Sequence, residues 1–82
     1  MTKAIYRNEH QVLIKLLKAI RSNTGLTQND CSKALGRPQS YISDVETGLR
    51  RLDLVQLRDL CAVLGYTLPQ FVEEYEAALL TP

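Results

Sequence analysis

The chain holds one histidine and two cysteines in 82 residues, and this scarcity removes whole classes of chemistry. Cys31 and Cys61 stand far apart and match no metal-ligand spacing. With His10 as the sole imidazole, no zinc set can be assembled within one chain, so no metal and no cofactor are expected. The sequence contains no glycine-rich phosphate loop, and no Ser–His–Asp or Cys–His set falls in plausible helical register. An enzyme is therefore the weakest functional class. Both cysteines read as small buried hydrophobes in a reducing compartment. The longest apolar runs, such as Val12-Leu13-Ile14, are far too short to span a bilayer. The opening MTKAIYRNEHQ lacks the apolar stretch of a secretory signal, so a cytoplasmic location is expected. Aromatic residues are scarce as well, four Tyr and one Phe, which leaves a core of Leu, Ile, Val and Ala suited to helices.

What is present is a helical pattern with regular punctuation, and no strand pattern competes with it. Leu13, Leu16, Leu17 and Ile20 recur at three- and four-residue steps and predict a first helix over about 9–23, ended by Gly25. Thr27 as N-cap, with Asp30 three residues on, predicts a second over about 27–35, stopped by Gly36. A third is expected over about 38–47 and ends at Gly48. Asp53 followed by Gln56 resembles a capping box and opens a fourth over about 53–64, with Leu54, Leu57, Leu60, Cys61 and Leu64 on its buried face. Thr67 caps a fifth over about 67–80, with Leu68, Phe71, Val72, Tyr75 and Leu79 on one side and Glu73, Glu74 and Glu76 elsewhere. Residues 1–8 read as an N-terminal arm and 9–82 as one all-α domain, a size that supports a single core.

Charge is unevenly distributed although the net value is only +1. Residues 1–25 carry five basic side chains against one acidic, whereas residues 53–82 carry one basic against five acidic. A polyanion could dock on one end and be repelled by the other; solvated helix faces would give the same pattern.

The third helix has the most distinctive surface. Ile42 and Val45, with Tyr41 beside them, supply a narrow apolar stripe, and Gln39, Ser40, Ser43 and Asp44 are left facing outward. A short helix tied to its predecessor by a glycine turn is the helix-turn-helix arrangement, which lays its second helix in the major groove of DNA. Glutamine can pair bidentately with an adenine edge, serine works close to a base or phosphate, and the tyrosine hydroxyl can reach a phosphate oxygen.

The stretch LTQNDCSKALGRPQSYISDVETG, followed by LRRLDLVQLRDLCAVLG, resembles the lambda-repressor-like helix-turn-helix domains, the Cro-type or XRE family. The likeness runs from Val12 to Val72. It rests on the Leu-Thr-Gln opening at 26–28, the Leu-Gly turn at 35–36, the Ile–Val–Glu–x–Gly series at 42–48 and the Leu-Gly at 64–65. The resemblance implies a compact five-helix DNA-binding domain whose helices 2 and 3 form the helix-turn-helix. It further implies that Gln39, Ser40, Ser43 and Asp44 read bases, that Gln28, Arg37, Tyr41, Arg50 and Arg51 hold the DNA backbone, and that Arg21 pairs with Glu46. Three departures stand out. Pro38 cannot cap by a side chain, so helix 3 must start another way. Asp44 would repel phosphate but could accept from a cytosine amino group. Ser32 replaces a common alanine, and its hydroxyl is expected on the Gln28 carbonyl one turn back.

The expected function is a sequence-specific regulator of transcription, a repressor acting on double-stranded DNA as a homodimer on a palindrome. A dimer contact through Phe71, Tyr75 and Leu79 is one use of the last helix; covering the first helix of the same chain is the other. The alternative class is an antitoxin-type module that holds a partner protein, a toxin or another regulator, on its acidic last helix.

Overall fold

The computed structural model describes residues 7–80. The expected N-terminal arm at 1–8 therefore falls mostly outside the described residues. Five α-helices follow one another: α1 (Asn8–Thr24), α2 (Gln28–Ala34), α3 (Tyr41–Glu46), α4 (Leu54–Val63) and α5 (Leu68–Leu80). There is no strand among the described residues, and no helix there is long and apolar enough to cross a membrane.

Local chemistry fixes most of the helix boundaries. Thr27 and Asp30 form a reciprocal capping box, Asp30 N–H donating to Thr27 Oγ1 and Thr27 N–H to the Asp30 carboxylate, both at 3.0 Å. The bond from the Thr27 backbone N–H, then the Thr27 hydroxyl, holds the Asp30 carboxyl below its ordinary range. Asp53 and Gln56 repeat the device at α4, and Thr67 with Gln70 does so at the start of α5. Such pairs satisfy two of the N–H groups that a helix start leaves without partners. Gly25 ends α1 at φ 81°, a left-handed conformation that a residue with a Cβ adopts only under strain.

α1 packs on α3 and α5, α2 on α3 and α4, and α4 on α5. The core they enclose joins Leu17 and Ile20 of α1, Cys31 of α2, Tyr41, Ile42 and Val45 of α3, Leu60, Cys61 and Leu64 from α4 and its C-cap, and Phe71 of α5. Both thiols are free and buried, and burial pushes their pKa values up, away from the reactive thiolate.

Five expectations about helix bounds and packing need correction. α3 begins at Tyr41 rather than near Pro38. Residues 38–40 form a tight turn, with Tyr41 N–H donating to the Pro38 carbonyl at 2.9 Å, and the first α-type bond runs from Asp44 N–H to Ser40 C=O. The start is set from another helix, the Ser32 hydroxyl of α2 accepting the Ile42 N–H at 3.1 Å. Leu54, expected inside, is largely exposed at the first position of α4, and Val72 is exposed as well. Phe71, offered for a dimer contact, is 1% exposed and belongs to the chain's own core. Tyr75 is half-buried against that core, and its hydroxyl donates to the Glu9 carbonyl at 3.0 Å, so it ties α5 to α1 within the chain.

Candidate functional site

The start of α2 and the turn leading into α3 come together around an open groove of about 660 Å³ lined by Thr27, Gln28, Asn29, Gln39, Ser40 and Ser43. Every lining side chain is short or uncharged, and each offers an amide or a hydroxyl. Gln39 and Ser40 are exposed, and Ser43 is half-buried one helical step further on. Asp44, next along α3, is also half-buried. Its carbonyl accepts from the N–H groups of Leu49 and Arg50, at 2.9 and 3.1 Å. The following loop is thereby folded back against α3. Thr27 and Asn29 were missed in the sequence. Their position beside Gln28 at a capped helix start was the available signal, because the first turn of α2 faces the same side as the turn before α3.

α3 is held in place from three directions. Arg21 of α1 meets Glu46 at the end of α3 in a two-pronged contact, Nε to Oε2 at 2.6 Å and Nη2 to Oε1 at 3.1 Å. The remaining prong, Nη1, donates to the Leu26 carbonyl at 2.8 Å. Gln28 Nε2 donates to Glu46 Oε1 at 2.9 Å. The side chains of Arg21 and Glu46 are only 13% and 4% exposed. The hydrogen bond to Glu46 raises the Arg21 pKa against the opposing effect of burial. Gln28, expected on a phosphate, thus has its Nε2 engaged by Glu46.

The second hold is Ser32. Its side chain is fully buried, and the hydroxyl does not turn back to Gln28 as expected. It accepts from Ile42 N–H at 3.1 Å and donates to the Gln39 carbonyl at 3.4 Å. The third is Tyr41, 4% exposed and part of the core. Expected to touch the DNA backbone, its ring instead carries the guanidinium groups of Arg37 and Arg50, 5.3 and 5.1 Å from its centroid. Cations at that distance from an aromatic ring are attracted by its quadrupole. The ring thereby gathers one arginine from before α3 and one from after it.

Arg51 points elsewhere. It lines a cavity of about 280 Å³ with Arg7, Glu9, His10, Leu13 and Tyr75. There His10 Nε2 is buried without a hydrogen-bond partner, and burial, then the neighbouring Arg51 charge, lowers the His10 pKa. Arg7 pairs with Glu9 at 3.2 Å. Among the described residues, no group of three or more His, Cys, Asp or Glu could hold a metal ion.

Comparison with known proteins agrees with this geometry. A family model described as a helix-turn-helix domain matches residues 14–72. Control protein C.MunI from a Mycoplasma species is 32% identical over 62 residues, covering 76% of this chain and 84% of that protein. An XRE-family like protein from Pseudomonas syringae pv. tomato superposes with a TM-score of 0.80 at 38% identity, over 90% of this chain and 88% of its own. The restriction-modification controller protein C.Esp1396I shares the fold at a TM-score of 0.84 and 24% identity, over 93% and 99% of the two chains. That controller has also been solved as a tetramer on its natural 35 base-pair operator.

Proposed function

We propose that this chain, which belongs to the XRE-type helix-turn-helix family, is a DNA-binding regulator of transcription of the controller-protein kind, reading a specific operator through the groove between α2 and α3. The observation that carries this is the convergence of Gln39, Ser40 and Ser43 with Thr27 and Asn29 on one exposed surface, backed by Arg37 and Arg50 on the Tyr41 ring. Amides and hydroxyls supply the donor–acceptor pairs that distinguish base edges, and arginines supply the sequence-independent attraction to phosphate. Asp44 closes the reading set as an acceptor for a cytosine amino group. Occupation of a promoter in this way represses.

One such domain has a small footprint, so the working unit is a homodimer on a palindrome, with the two α3 helices about 34 Å apart. Phe71 and Tyr75 are used within the chain, and Leu79 is half-buried. The exposed apolar residues Leu49, Leu54 and Val55, on the α3–α4 loop and the first turn of α4, are the better dimer surface. An isologous contact needs a self-complementary patch of this sort. Selection of bound sites from random DNA tests the proposal, because it should return a palindrome with half-sites one helical turn apart. Gln39→Ala should then weaken operator binding by about 1–3 kcal/mol and relax preference at one or two base pairs. Failure to enrich any sequence would refute specific binding, and equal losses on operator and random DNA would remove Gln39 from the reading set.

A further inference from the structure

A fully buried hydroxyl in the middle of α2 is costly unless both its donor and its acceptor capacity are used. Ser32 uses both, and both on the approach to α3. Its Oγ accepts the N–H of Ile42 and donates to the C=O of Gln39. The Ile42 N–H is among the first-turn donors that α3 cannot satisfy internally. The flanking Ser40 makes no side-chain cap, and Pro38 has none to offer. The start of α3 is thus capped from another helix, at a point fixed by the core around Cys31 and Ile42.

The two backbone groups that Ser32 grips are the carbonyl of Gln39 itself and the N–H of Ile42, two residues beyond Ser40. Gln39 and Ser40 are the groove residues of the turn at 38–40, and both are exposed. A turn residue lies outside the regular helical ladder; one local bond, from Tyr41 N–H to the Pro38 carbonyl, closes this turn, and the contacts to Ser32 tie it to α2. We propose that Ser32 is a positioning residue for base reading: its hydroxyl pins the turn so that Gln39 and Ser40 meet the base edges in one arrangement. This rests on the assignment of Gln39 as a base reader. The other end of α3 is anchored independently, by Arg21 and Glu46 and by the packing of Val45. Removal of one buried oxygen therefore loosens the turn without releasing the helix.

The test compares Ser32→Ala, Ser32→Cys and Gln39→Ala in the full chain. Binding is measured on the selected operator, on operators changed at the base pair that Gln39 reads, and on random DNA, together with amide exchange of the free protein. Both Ser32 variants should remain folded, and Cys, close to Ser in size but a weak hydrogen-bonding group, carries the test if Ala fails to fold. The expected result is a loss of about fivefold or more in discrimination at that base pair, with random-DNA affinity within about twofold of wild type. The Ile42 amide should exchange faster while the Val45 amide keeps its protection. The double variant with Gln39→Ala should discriminate no worse than Gln39→Ala alone, since both act through one contact. Wild-type discrimination by both Ser32 variants, or equal losses on specific and random DNA, would overturn the inference. Gln39→Ala separates the two levels. If it leaves discrimination intact, base reading by Gln39 fails and the inference falls with it. If it abolishes discrimination while the Ser32 variants preserve it, only the inference fails.

Discussion

Arg21→Ala is the substitution whose cost follows most directly from the geometry. It leaves the Glu46 carboxylate, 4% exposed, with only the Gln28 amide as a partner, and it strips the Leu26 carbonyl of its donor. Removing one member of a buried pair typically costs about 3–5 kcal/mol, because the survivor is a desolvated charge without its counter-charge. A chain of this length has roughly 4–12 kcal/mol of stability in total, so the loss consumes a large share. Equilibrium unfolding in urea reads it directly: at a slope of about 1 kcal/mol per molar, the midpoint should fall by about 3 M or more. Glu46→Ala should cost less than Arg21→Ala, since Arg21 keeps its bond to Leu26 and lies nearer to solvent. Replacing both by methionine should restore most of the loss, because apolar groups of similar volume carry no desolvation penalty. A shift below about 1 kcal/mol for Arg21→Ala, or a double methionine variant weaker than either single alanine, would refute the assignment of this pair as a buried, mutually dependent contact.

Phe71→Ala should destabilise by about 3–5 kcal/mol as a core truncation, whereas Leu54→Glu should leave a folded monomer with poor operator affinity; sedimentation and thermal unfolding of the two variants distinguish core from interface. Arg50→Ala should weaken binding to all sequences alike and lower the slope of log affinity against log salt by about 0.9, and an unchanged slope would take Arg50 off the phosphate contacts. Because the fold lowers the His10 pKa below its ordinary 6.5, the unfolded chain takes up the proton first. Stability is therefore complete above about pH 6.5 and falls as pH drops through the lowered value. His10→Gln should flatten the urea midpoint between about pH 7.5 and 5 relative to wild type, and parallel pH curves would show that His10 does not contribute.

The parts of this fold that were legible in the sequence are those decided within a few residues. The Thr27–Asp30, Asp53–Gln56 and Thr67–Gln70 pairs announce helix starts because both partners of each bond lie within one turn. The 3–4 spacing of Leu13, Leu17 and Ile20 announces a face because helical geometry alone brings them together. What was not legible was decided by distant chain. The start of α3 is capped from Ser32, ten residues back, so local rules placed it too early and sent the hydroxyl to the wrong carbonyl. The stripe on α5 was visible, yet periodicity cannot say whether Phe71 meets its own chain or a second copy. Tyr41 beside Ile42 could equally be an exposed phenol or a buried platform, and only packing around two arginines decides between them.

The Arg21 contact also limits what can be transplanted. One guanidinium, carried on α1, binds both the end of α3 and the loop before α2. A peptide spanning residues 27–48 would retain the serine cap and the glycine turn but would lose the cation that neutralises Glu46 and the α1 surface that covers Tyr41, Ile42 and Val45. Grafting the two-helix unit onto another scaffold therefore requires the host to supply an arginine at the matching place on a neighbouring helix. Without it, the donor segment brings a buried carboxylate with no counter-ion.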